Sequence, residues 1–145
     1  MWYIRRPGFF AIAVIVVIAV GVYNYVGIVD MSDLSIQIWL RLYASSIYEY
    51  HTKTGRWPTR TEDLAETSLP QQTPHWREVL DIEADVIVWP KDLNPDPKDN
   101  AGVILVYQNK GLYAELGHNW VCWGDLRTEY ITTEELHAHL QAGKK

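Results

Sequence analysis

An α+β fold is predicted: a long N-terminal helix, transmembrane in its first half and amphipathic in its second, packed on a small antiparallel sheet. Three observations predict it. Phe9 to Val29, FFAIAVIVVIAVGVYNYVGIV, is apolar and uncharged; Asp33 to about Thr52 has helical apolar spacing; and the C-terminal half alternates short apolar runs with turn residues.

The apolar run sets the organisation. At ~1.5 Å per residue, about twenty-one residues cover ~31 Å, one hydrocarbon thickness, and in lipid a helix satisfies its own backbone. A buried core helix rarely runs this long without a polar face. A cleaved signal has a shorter core and a small-residue site, which Gly21-Val22-Tyr23-Asn24 does not supply. The expectation is therefore a retained single-pass anchor. Arg5 and Arg6 precede it and every acidic residue follows it, which places the N-terminus in the cytoplasm and the C-terminal domain in the periplasm or outside. The expected parts are a cytoplasmic stub at 1–8, a transmembrane helix at 9–29 and an extracytoplasmic α+β domain at 30–145, in the inner membrane. Trp2, Tyr3, Tyr23 and Tyr25 suit the two interfaces, and Ala11, Ala13, Ala19 and Gly21 offer close approach to partner helices.

From Asp33, a stripe of Leu34, Ile38 and Leu42, with Trp39, Tyr43 and Ile47 beside it, predicts a helix to about Tyr50 or Thr52, stopped at Gly55. Pro58 forbids its resumption, and Thr59 with Glu62 is expected to cap a short helix that points Leu64 at the core. Ser68–Thr73 reads as a link, Pro74–Leu80 as a short helix and Ala84–Trp89 as a strand stopped by Pro90. Lys91–Asn100 reads as a loop. Val103–Tyr107, Asn119–Trp123 and Thr128–Ile131 read as strands, and Leu112–Leu116 as a short strand or irregular arm. Thr132 with Glu135 caps a last helix carrying Leu136 and Leu140.

Composition excludes some functions. A net charge of −5 with no basic run argues against nucleic acid. One cysteine, Cys122, makes no internal disulfide. His51, His75, His118, His137 and His139 form no metal-ligand motif, and His137 and His139 diverge on their helix. His118 and Asp125 flank one strand, where a structural hydrogen bond is the ordinary reading. Asp92, Asp96 and Asp99 lack the calcium-loop spacing and read as a solvated acidic loop. Cys122 reads as a packed thiol. No catalytic residue, metal, cofactor or small-molecule substrate is assigned, and the chain reads as non-enzymatic.

Three stretches carry a resemblance. Arg5-Arg6, Gly8-Phe9 and the aliphatic Ile15–Val20 resemble the N-terminus of type IV pilins and type II secretion pseudopilins, with Pro7 and Ala13 departing from it. Ala13 stands where that family has a glutamate that helps set subunit register. The resemblance implies possible prepilin cleavage between Gly8 and Phe9. Gly55-Arg56-Trp57-Pro58 resembles the segment after the long helix of pseudopilins. His118-Asn119, Asp125 and Glu129 resemble a C-terminal His…Asp-Gly signature of prepilin-type proteins, with Leu126 and Arg127 replacing Gly-His. The resemblance implies a pilin-like head whose partners are the lipid bilayer and other membrane protein subunits. Two functions follow. One is a structural or accessory subunit of a larger membrane complex, favoured by Pro7 and Ala13. The other is a pilin or pseudopilin filament subunit.

Overall fold

The computed structural model describes residues 33–82, 85–89, 91–109 and 112–143. The chain divides into two compact units, Met1–Ser35 and Ile36–Lys145, and the second holds nearly all the described residues. A helix, α1, spans 33–54. A 3-10 turn at Thr61–Glu66 and the short helices α2 (Leu69–Gln72) and α3 (Trp76–Ile82) follow. The strands are β1 (Asp85–Ile87), β2 (Ile104–Gln108), β3 (His118–Trp123) and β4 (Thr128–Thr132), with a one-turn α4 (Leu112–Glu115) between β2 and β3. Helix α5 (Thr133–Ala142) ends the fold.

The α+β class holds, and the sheet is a four-stranded antiparallel meander in the order β1-β2-β3-β4. The long helix with a transmembrane half is corrected. Among the described residues no helix is long and apolar enough to cross a membrane. Helix α1 has the length, but Asp33, Arg41, Glu49 and Lys53 break its apolar character. The single-pass, inner-membrane expectation with a cytoplasmic N-terminus therefore finds no spanning helix to support it. The residues on which it rested lie outside the described ones: Trp2, Tyr3, Gly8, Phe9, Ala11, Ala13, Ala19, Gly21, Tyr23 and Tyr25.

Helix α1 ends where expected. Gly55 takes φ +74, a left-handed conformation that L side chains rarely adopt, and its N–H closes on His51 at 2.8 Å. The buried face differs from the expected stripe. Ile36, Leu40, Tyr43, Ala44 and Ile47 face the core at spacings of three and four, while Leu34 and Ile38 stand 60% and 56% exposed. The sheet supplies Leu105, Val106 and Cys122 to this core. Its opposite face buries Ile104, Val121, Trp123 and Ile131 against Leu136 of α5. Alternation along β3 sends Cys122 to one core, and Val121 and Trp123 to the other. The register shift between Ile104 and Val106 marks a bulge that lets adjacent Leu105 and Val106 share one core.

The caps divide. Thr132 and Glu135 form the expected reciprocal box, with Thr132 N–H on the Glu135 carboxylate at 2.9 Å and Glu135 N–H on Thr132 Oγ1 at 3.2 Å. The box expected from Thr59 and Glu62 does not form. Asp63 takes that place, accepting the Thr59 N–H at 2.8 Å. Leu112–Glu115 is helical rather than extended, and α2 occupies the expected link.

One polar hub joins three segments. Tyr48 donates from Oη to the Gly124 carbonyl at 2.6 Å and accepts from Asn100 Nδ2 at 2.9 Å. Asn100 Nδ2 also donates to the carbonyls of Asn94 and Asp96, and its Oδ1 accepts the Asn94 N–H at 3.0 Å. Gly124 sits so close that an added Cβ would meet Asn100 Cβ at 2.4 Å and its carbonyl oxygen at 2.5 Å. The hub ties α1, the 91–103 loop and the β3–β4 turn together. Tyr48→Phe leaves the buried Gly124 carbonyl without its donor and is expected to lower stability by about 1–3 kcal/mol. Gly124→Ala is expected to cost about 3 kcal/mol, because backbone rather than a movable side chain is in the way. Urea unfolding of both variants measures these shifts, and wild-type midpoints for both would refute the hub's role.

Carboxylates at the caps make stability depend on acid. The Thr59 amide holds Asp63 below the usual range, and the Thr132 amide does the same for Glu135. Burial pushes Glu49 up, but its bonds to Lys53 and Ser68 outweigh that and hold it low. A carboxylate depressed in the fold contributes stability above its unfolded pKa, which is lost as pH falls through the folded value. Thermal midpoints are expected to be level from about pH 7 to 5 and to drop below about pH 4. A level profile down to about pH 3 would contradict this assignment.

Candidate functional site: a cationic aromatic groove

The turn after α1 delivers Arg56-Trp57-Pro58 onto the flank of the domain. Pro58 is fully buried and fixes the path of the chain. Trp57 stacks on His51 at 3.9 Å between ring centroids, and meets Tyr48 edge-on at 5.6 Å. The polar hub and the helix end thus set the orientation of Trp57. Beyond β1 the chain brings Trp89 and Lys91 to the same place. Arg56, Trp57, Pro58, Thr59, Trp89 and Lys91 line an open groove of about 530 Å³.

Charge distinguishes this groove. The chain carries a net −5, yet the two charged residues lining the groove are both cations. Most other described cations are committed, Lys98 being the exception, and Arg41 donates to Thr128. Lys53 pairs with Glu49, Arg60 with Asp63, and Arg127 with Asp125 and Glu129, while Arg77 lies over Trp76. Among the described residues Arg56 and Lys91 take no carboxylate partner. Two indoles and two unpaired cations favour a ligand that combines flat or cyclic apolar groups with carboxylates. An adjoining groove of about 790 Å³ shares Trp89 and Lys91 but adds Asp92 and His139, so its lining carries both signs.

The other expected site residues are structural or apart. His118 and Asp125 do not meet: they stand at opposite ends of β3, roughly 20 Å apart at ~3.3 Å per residue. His118 instead stacks on Tyr130 at 4.9 Å, beside Tyr113 and Trp120. Asn119 is buried, donating to the Gln108 carbonyl at 2.7 Å and accepting from Thr133 at 2.8 Å. Glu129 accepts from the Trp123 indole at 2.9 Å and from Arg127 at 2.8 Å. Asp125 accepts the Arg127 N–H, which shapes a turn where Leu126 adopts φ 65 in place of glycine. Asp96 caps Lys98, and among the described residues no group of three or more His, Cys, Asp or Glu is placed to hold a metal. Of the four residues Gly55, Arg56, Trp57 and Pro58, the last three line the groove.

Trp89 and Lys91 lie outside the site residues expected from the sequence. The available signal was a doublet: Arg56-Trp57-Pro58 and Trp89-Pro90-Lys91 each set a cation beside a Trp-Pro pair. Compared with protein-family models, curated proteins and solved structures, the chain matches none.

Cys122 is fully buried, and burial pushes its thiol up to about 12, with Arg41 opposing and Asp125 reinforcing. The thiolate is the reactive species, so alkylation at pH 8 should proceed only as fast as the domain opens. Labelling by iodoacetamide is expected at least a hundredfold slower than in urea, roughly the protection a stable fold gives. Comparable rates would place the thiol at an open surface.

Proposed function

We propose that this chain is a structural, accessory subunit of a larger protein assembly, acting through contacts rather than through chemistry. The observation that carries the reading is the groove, where Trp57 and Trp89 stand beside two cations that no carboxylate neutralises. Aromatics and arginine in a preformed recess are what dominate protein contacts. The commitment of the other chemistry-bearing residues supports the same view. Asn119, Asp125 and Glu129 hold strands and turns, and Cys122 is sealed in the core. The resemblance of Gly55-Arg56-Trp57-Pro58 to the pseudopilin segment agrees with a head domain of the pilin kind. Pro7 and Ala13 weigh toward an accessory role over a filament subunit.

A photo-crosslinking residue at Thr59, on the groove wall, tests this in the cells that make the protein. The expected result is a discrete protein adduct that disappears when Arg56→Glu and Lys91→Glu are added. Absence of any adduct, or an adduct indifferent to both substitutions, would refute the reading.

A further inference from the structure

The groove lacks an anionic partner within its own molecule, and a nearby surface lacks a cationic one. The loop Asp92-Leu93-Asn94-Pro95-Asp96-Pro97-Lys98-Asp99 carries three carboxylates against one lysine. Asp92, Asp96 and Asp99 form no ion pair among the described residues. Asn94, Pro95, Asp96, Lys98 and Asp99 are exposed, while Leu93 and Asn100 anchor the loop in the interior. We propose that a second copy of this chain is the partner: the acidic proline loop of each copy occupies the Trp57–Trp89 groove of the other. The inference rests on the reading of the chain as an interaction subunit and names the occupant of that same groove.

Four observations argue for it. The chemistry matches on both sides, since proline rings pack on aromatic faces and Asp92, Asp96 and Asp99 meet Arg56 and Lys91. The loop is shaped before docking. Asn100 binds Asn94 and Asp96, Asn94 Oδ1 accepts the Asp96 N–H at 3.0 Å, and Asp96 caps Lys98 at 3.0 Å. A preformed loop loses little freedom on binding. The groove is equally set, with Trp57 held between His51 and Tyr48. Lastly, groove and loop are neighbours. From Lys91 to Asn94 is three residues, at most about 11 Å of chain. Adjacent complementary patches make a self-complementary surface, which closes as a two-fold pair rather than an open array.

The contact is small by the standard of stable dimers, so a dissociation constant of roughly 0.1–1 mM is expected, relevant where copies are concentrated. Its charge makes it salt-sensitive. Sedimentation velocity of the full chain, from about 10 μM to about 1 mM, reads this directly. The average mass should move toward twice the monomer at low ionic strength and return to monomer in about 0.5 M salt.

Two charge-reversed variants give the decisive arm. One carries Arg56→Glu and Lys91→Glu in the groove; the other carries Asp92→Lys and Asp99→Lys in the loop. None of these side chains bonds another within the fold, and Asp96 keeps its capping role. Each variant alone should remain monomeric, because like charges then face each other. An equimolar mixture should recover dimer to within about threefold of the wild-type constant, since both contacts in the mixed pair again join opposite charges. The milder Lys91→Gln and Asp99→Asn should each weaken pairing about threefold or more, which covers a reversed variant that fails to fold.

A wild-type chain monomeric throughout, pairing indifferent to the variants, or a mixture without recovery would overturn the proposal. The Thr59 adduct separates this failure from failure of the broader reading. An adduct to a different protein, with the purified chain monomeric, sinks the self-pairing and leaves the accessory role standing.

Discussion

The Tyr48 hydroxyl is the constraint on which the arrangement turns. It carries two hydrogen bonds to groups 52 and 76 residues away, on a loop and on a hairpin turn. Each partner is itself locked. Asn100 is fastened to the loop it closes, and Gly124 lies too near Asn100 to admit any side chain. Apolar packing between α1 and the sheet holds the layers together, but it is non-directional and tolerates sliding by a fraction of a turn. The hydroxyl removes that latitude, because a donor and an acceptor at fixed places define one register between helix and hairpin.

Order at the groove inherits from this. Trp57 leans its edge on the Tyr48 ring and its face on His51, so the register of α1 determines where the indole stands. Lys91 precedes Leu93, whose side chain is buried in the α1 core. The two walls of the groove therefore come from segments far apart in sequence that meet through a common interior. A recess built in this way can present unpaired cations without collapsing around them. Arg56 and Lys91 are held by backbone anchored at Pro58 and Leu93 rather than by carboxylates of their own.

Much of the fold was legible, for local reasons. Gly55 ends α1 because the chain needs φ > 0 there, and Thr132 with Glu135 caps α5 through bonds three residues apart. The strands announced themselves by Val, Ile and Trp runs between turn residues. What failed was decided over longer range. Leu34 and Ile38 share a stripe with Leu42, yet the sheet is covered by the neighbouring face of Ile36, Leu40, Tyr43 and Ile47. Leu112–Glu115 is helical because it forms a one-turn connection before β3, which its own propensity did not reveal. Asp63 rather than Glu62 takes the Thr59 amide because the turn begins one residue later than expected, at Thr61 with Arg60 as its N-cap, which puts Asp63 in the third position. Of the site, Arg56, Trp57 and Pro58 were visible as a motif. Trp89 and Lys91 were not, since only the packed core brings residues 30 or more positions apart to one wall. The spanning helix read from Phe9 to Val29 has no counterpart among the described residues.

The plain meander order of the sheet has a kinetic side. Every strand pairs with its neighbour in sequence, and the connections shorten along the sheet to the tight turn between β3 and β4. The expensive closure is the docking of α1, whose links to Asn100 and Gly124 enclose most of the domain. Such a topology lets the hairpins assemble early and leaves the helix to arrive late. Until it does, the sheet face that holds Leu105, Val106 and Cys122 stands bare. That interval is when the newly made chain is most open to capture by other chains.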